Sequence, residues 1–171
     1  MSTNHVVNTG TIGIDLNSIS SSNVYGLGAS FEGDGGSQFI YVLANTLLAD
    51  GALTRIKNGY RASAATGTNL SSADSRLGFA QTAVAASQYG FLALAGQNIR
   101  VRTLGGVASG GMPMYTSETA GALSTATTSA SQFQVWGVWM QSSVSASAAT
   151  ATVSTAAVSY PHLRKPRAGG G

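Results

Sequence analysis

Runs of β-branched and aromatic residues, closed within a few positions by glycine, recur along this chain and constrain its fold more than any other feature. Gln38-Phe39-Ile40-Tyr41-Val42-Leu43-Ala44 has the composition of a buried strand, since such side chains pack well on a pleated surface. Asp50-Gly51 follows as a turn signal, and residues 52–57 form a second strand stopped by Asn58-Gly59. Residues 77–86 and 89–95 supply a third and a fourth apolar segment. In Asn98-Ile99-Arg100-Val101-Arg102-Thr103 the alternation is clean: Ile99 and Val101 share one strand face, and Arg100 and Arg102 the other. Residues 112–116, 133–141 and 150–160 complete the series, with Pro161 ending the last strand. Residues 61–75 and 117–131 read as loops of small polar residues. Short strands at this spacing predict an all-β fold, either a small β-barrel or a β-sandwich. The pattern does not fix strand order, so both architectures stay open.

Alanine favours helix and is the main competitor to this assignment. Residues 80–87 or 142–149 could form a turn or two, but neither has a cap followed by a sustained 3.6-residue period. The expectation is at most one short helix. Residues 1–36 are rich in Gly, Ser and Asn, with alternation only at Ile12, Ile14 and Leu16, and are expected to form an extended N-terminal arm. The expected organisation is therefore an arm over 1–36, a β domain over 37–160 and a basic, glycine-rich tail over 161–171.

Charge then narrows the function. Charged residues are 9% of the 171, against roughly 25% in an average domain. Isolated soluble monomers usually carry more surface charge, so a weakly charged, small-residue surface suits packing against neighbouring subunits. The formal net charge of +3 resides in Arg164, Lys165 and Arg167, while six basic and six acidic residues before them cancel. A nucleic-acid-binding face would show a basic stripe, and three tail charges give only weak, salt-sensitive binding, so direct nucleic-acid binding is not expected. The tail is a solvated terminus or docks on an acidic partner surface. The chain begins without a secretory pattern, and its longest apolar run, at 39–43, is far short of a membrane span.

Catalytic chemistry needs nucleophiles and titratable groups brought together. The chain has no cysteine, and its two histidines, His5 and His162, stand in terminal segments. Its carboxylates are scattered without a paired spacing. The glycine clusters Gly26-Leu27-Gly28 and Gly33-Asp34-Gly35-Gly36 precede a strand, whereas a phosphate loop follows a strand and opens a helix. No catalytic residue, cofactor or metal site is expected. Trp136 and Trp139 stand three apart, which on an unbroken strand puts one in the core and one on the surface, where tryptophan favours interfaces. Tyr89 and Phe91 share a strand face and are expected in the core. The candidate partner contacts are Ile12, Ile14, Leu16, Trp136, Trp139, Arg164, Lys165 and Arg167.

The order of these segments resembles the small capsid decoration, or cement, proteins of tailed bacteriophages. The resemblance runs over residues 26–125. It begins with Gly26-Leu27-Gly28, the strand from Phe39 and Asp50-Gly51, and continues through Leu77-Gly78-Phe79-Ala80-Gln81 and Gln88-Tyr89-Gly90-Phe91-Leu92. Met114-Tyr115-Thr116 and Gly121-Ala122-Leu123 complete it, with Val158-Ser159-Tyr160-Pro161-His162 matching the last-strand ending. The long N-terminal region and the Trp136/Trp139 pair depart from that pattern. The resemblance implies a structural protein made in the host cytoplasm that binds the exterior of the assembled shell, with the major capsid protein and copies of itself, as trimers, for partners. A trimeric fibre, spike or receptor-binding module is the alternative, though no internal repeat is found. A carbohydrate-binding β module, stacking sugars on Trp136, Trp139 and Tyr115, is a third reading.

Overall fold

The computed structural model describes residues 6–7, 14–33, 36–70, 76–104, 111–125, 132–140 and 154–164, with 6–7, 139 and 154–164 described by backbone alone. Among these residues there are twelve strands and no α-helix. They are β1 (Val6–Val7), β2 (Ile14–Asp15), β3 (Ser30–Gly33), β4 (Ser37–Ala44), β5 (Leu53–Lys57), β6 (Arg61–Ala64), β7 (Arg76–Ala80), β8 (Tyr89–Val101), β9 (Met114–Thr116), β10 (Leu123–Ser124), β11 (Gln134–Met140) and β12 (Ser154–Arg164). The fold is all-β. Residues 80–87 contain no helix, and 142–149 lie outside the described residues.

Strands β4, β8, β7, β5 and β6 pair antiparallel in that order. A parallel pairing of β6 with β4, Leu43 opposite Arg61, then closes the ring into a five-stranded barrel. Closure removes the unpaired edges that an open sheet exposes. The second half of β8 leaves the barrel and pairs with β12, starting a second sheet in the order β8-β12-β11-β9-β10. A bridge between Thr103 and Leu123 ties the far strand of that sheet back to the chain leaving β8. The two apolar segments expected at 89–95 and 98–103 are thus one bent strand. Gly96 (φ 138°) and Asn98 (φ 59°) take backbone conformations unfavourable to most side chains, and the pairing changes partner there.

Each face of the barrel carries a buried apolar cluster. Ile40, Val42 and Ala44 of β4, Ile56 of β5, Ala62 of β6, Ala80 of β7 and Leu92 and Leu94 of β8 form the inner cluster, joined by Leu48 and Val84. Phe39, Tyr41, Leu53, Leu77, Phe79, Phe91 and Ala93 face outward from the same strands. They pack with Ile99, Val101, Met114, Leu123, Val135, Val138 and Met140 of the second sheet. Burial on both faces explains why β4 and the first half of β8 read as continuous apolar runs rather than as polar–apolar alternation.

Residues 14–33 do not stand away from this body. Leu16 is 1% exposed in the outer cluster, Phe31 packs against it, and β3 pairs along the first half of β4. At the other end β12 continues through Pro161 to Arg164 rather than stopping before the proline. Proline has no backbone N–H to offer a ladder and is confined to edges and bulges. Here the register jumps between Trp136–His162 and Val138–Val158, leaving Pro161 in the extra length. The short strands β6 and β10 fall within segments expected to be loops, since neither has the branched or aromatic content of a strand.

Candidate interaction surface

Three surface features present exposed apolar groups, two of them beside a cleft. The first is the strap formed by residues 17–29. Ser20 and Tyr89 exchange both backbone hydrogen bonds, at 3.0 and 2.8 Å. Gly28 N–H donates to the Tyr41 carbonyl at 2.9 Å, and Tyr41 N–H donates to the Ala29 carbonyl at the same distance. The Tyr41 hydroxyl, on a side chain 1% exposed, donates to the Ser22 carbonyl at 3.3 Å. Burial is the main cause that pushes the Tyr41 phenol above its ordinary value. Tyr25 sits edge-on to Tyr41 with ring centres 5.2 Å apart, and its ring also meets Phe31 and Phe91. Edge-to-face pairs of this kind add about 0.5–1.5 kcal/mol beyond area burial. The strap is therefore fixed, yet it presents Ile19, Val24 and Tyr25 outward.

The second feature is the β5–β6 turn, Asn58-Gly59-Tyr60. Tyr60 N–H donates to the Lys57 carbonyl at 3.1 Å, and the Tyr60 carbonyl accepts from Leu43 N–H at 3.1 Å. Both Gly59 (φ 74°) and Tyr60 (φ 55°) are left-handed, a conformation that a bulky side chain rarely adopts. The Tyr60 ring lies over Gly28, where a Cβ would collide with it, and still remains exposed. Beside it is a cleft of about 270 Å³ lined by Ile56, Lys57, Asn58, Gly59, Tyr60 and Arg76.

The third feature is a cleft of about 160 Å³ formed by residues 111–113 and the first part of β11, with Trp136 exposed in its wall. Gly137 (φ 81°) lies opposite the extra residues of β12, and Val135 and Val138, three positions apart in β11, are both buried.

The expected contact residues meet different fates. Trp136 is on the surface. Ile14 is half-buried against the outer cluster, and Leu16 is fully enclosed within the chain, so it is not presented to a partner. Arg164 lies opposite Gln134 at the end of β12, with its side chain outside the described set, as is that of Trp139. Ile12, Lys165 and Arg167 lie outside the described residues. Phe91 is fully buried and Tyr89 packs against the same cluster, as expected. Tyr60, Val24 and Tyr25 were not anticipated. The signal for Tyr60 was an aromatic placed directly after Asn-Gly, where the chain reverses and cannot bury it deeply.

Polar groups serve structure where they are buried. Asp50 and Arg100 form an ion pair at 2.8 Å beside the Asp50-Gly51 turn. Gln81 bridges β7 to the second half of β8: its Oε1 accepts from Arg100 N–H at 2.9 Å, and its Nε2 donates to the Arg100 carbonyl at 3.2 Å. Among the described residues, no group of three or more His, Asp or Glu side chains is placed to hold a metal ion. No protein-family model matches the chain, and no curated protein matches it in sequence.

Proposed function

We propose that this chain is a structural virion protein that binds the exterior of an assembled bacteriophage capsid and stabilises it. The observation that carries the reading is the strap. Ile19, Val24 and Tyr25 face outward from a segment locked by backbone bonds to a closed barrel. A preorganised apolar surface loses little conformational freedom on docking, which favours repeated weak contacts on a lattice. The low charge of the chain and the sequence resemblance over residues 26–125 point the same way. In this reading the strap and the Trp136 cleft contact the major capsid protein or a second copy of the chain, and the proposed assembly on the shell is a trimer.

The test mixes the purified chain with capsids that lack it. Saturable co-sedimentation and a higher temperature of DNA release support the proposal. Absence of binding to capsids, with binding to host-cell glycans instead, overturns it in favour of a receptor-binding or carbohydrate-binding module. Within a positive result, Val24→Ser with Tyr25→Ser should weaken capsid binding about tenfold or more, the scale of losing an interface anchor.

A further inference from the structure

We propose that the barrel mouth lined by Lys57 and Arg76, with Tyr60 on its rim, is a docking site for a carboxylate-rich segment of a protein partner. Between Asp50 and Asp74 the chain carries three cations, Arg55, Lys57 and Arg61, and no carboxylate. The fold sorts them. Arg55 donates to the Asn69 carbonyl, and Arg61 donates to Asn45 Oδ1 at 3.2 Å. Lys57 and Arg76 form no side-chain hydrogen bond or ion pair among the described residues. Asp74, two positions before Arg76, lies outside those residues.

Pairing sets two of these charges face to face, and the strand ends bring Arg76 to the same cleft as Lys57. Lys57 is directly opposite Arg61 across β5 and β6, whereas Arg76 is opposite Ile56 across β5 and β7 and so starts from the other face of the sheet. Lys57 and Arg76 meet at the strand ends, where both line the cleft. Like charges facing each other across a sheet are destabilising. The cost is relieved if an anion sits between them. Glu32 shares with Arg76 a second, adjoining cleft of about 190 Å³, but no ion pair joins the two. Among the described residues, the cleft holding Lys57 and Arg76 is itself lined by no carboxylate.

Tyr60 adds a second, independent sign. A left-handed turn position is ordinarily filled by Gly, Asn or Asp, because other side chains clash with their own backbone. A tyrosine held there at φ 55°, the residue 42% exposed, presents an aromatic side chain beside two cations that have no ion-pair partner among the described residues. Strained, exposed residues of this kind concentrate where a surface binds something. Tyr and Arg together are enriched in protein interfaces, and the planar guanidinium matches a carboxylate bidentately. Nucleic acid fits less well, because useful affinity for a phosphate backbone draws on more cations than this mouth offers. The inference does not depend on the capsid reading, since it concerns the chemistry of the surface whatever assembly supplies the partner.

The experiment titrates the full ¹⁵N-labelled chain with a capped hexaglutamate peptide, inorganic phosphate and dodecathymidylate in separate arms, following backbone amide shifts. The expected result is saturable hexaglutamate binding with shifts confined to residues 56–61 and 76–78, weakened by salt. Lys57→Gln with Arg76→Gln should reduce that affinity about tenfold or more, whereas Arg102→Gln should change it by less than about twofold. Tyr60→Asn, which suits the left-handed turn, should weaken binding while leaving the thermal midpoint within a few degrees. Equal binding by the double variant, shifts spread over the surface, or tighter binding of phosphate or the oligonucleotide than of hexaglutamate would each overturn the proposal.

Discussion

The two faces of the barrel are made by the same strands and filled by different chemistry. The inner cluster is aliphatic throughout, from Ile40, Val42 and Ala44 to Leu92 and Leu94. The aromatics of those strands, Phe39, Tyr41, Phe79, Tyr89 and Phe91, are all on the outer face. Diameter grows with strand number, and about eight strands enclose an interior just wide enough for ordinary side chains. Five strands enclose less, so aliphatic and small side chains fill the lumen. The outer face has no such limit, because a strap and a second sheet can settle at whatever distance the rings require. A narrow lumen sets side-chain size from within, while the outer wall recruits the rest of the chain.

Four substitutions would break or sharpen that contrast. Phe91→Ala should have the largest effect, removing a ring that touches Tyr25, Phe31 and Tyr41 and opening a cavity between barrel and strap. A loss of about 3–5 kcal/mol in urea unfolding is expected. A loss below about 1 kcal/mol would mean that the strap collapses onto the wall and the outer face is not closely packed. Val42→Phe tests the lumen from the opposite direction. It increases apolar volume, yet should destabilise by about 1–3 kcal/mol, because overpacking forces strained side chains. A neutral or stabilising result would refute the claim that the lumen is full.

Gln81→Ala probes the join between the two sheets. It leaves the backbone N–H and carbonyl of Arg100 without their side-chain partner. The expected cost is about 1–3 kcal/mol, with hydrogen exchange faster in β8 beyond Gly96 than in its barrel half. Uniform acceleration would show that barrel and second sheet open as one unit.

Tyr41→Phe should have the smallest effect near neutral pH, within about 1 kcal/mol, since it removes one long hydrogen bond and keeps the ring. Its signature is alkaline. Burial raises the Tyr41 phenol in the folded chain, so its unfolded-state value, near 10.0, is the lower one. The contribution to stability is complete below that value and is lost as pH rises through the folded one. The wild-type chain should lose more stability than Tyr41→Phe in unfolding experiments carried above about pH 10. Identical alkaline slopes would remove Tyr41 as a source of the loss.

Much of the contrast between faces was present in the chain. Phe39-Ile40-Tyr41-Val42 and Phe91-Leu92-Ala93-Leu94 separate by parity into an outward set and an inward set. The two sets were merged in a reading by hydrophobicity alone, because both faces are apolar and only side-chain size distinguishes them. Ile99 and Val101 were legible as buried and Arg100 and Arg102 as the other face, since one face there is partly wet. The candidate site was less legible. Trp136 was identified, but Leu16 was expected at a partner surface and is enclosed by this chain's own outer cluster. Tyr60 and the cleft beside it are not legible in the sequence, because Lys57 and Arg76 are nineteen positions apart and reach one cleft only once β5 and β7 are paired.

By itself, the sequence determined the all-β class, the position of the main strands and the sparse charge, because strand composition, glycine turns and residue counts are local properties. It did not determine that the strands close as a barrel of five. Closure depends on the parallel pairing of β6 with β4, and Arg61-Ala62-Ser63-Ala64 has little strand propensity of its own. Neither did it determine where residues 14–33 lie. Leu16 and Phe31 find their partners across the outer wall, and the free energy that holds them there comes from side chains distant in sequence. Local preference names the elements; only the closed surface they build decides which apolar groups are used up inside and which are left exposed.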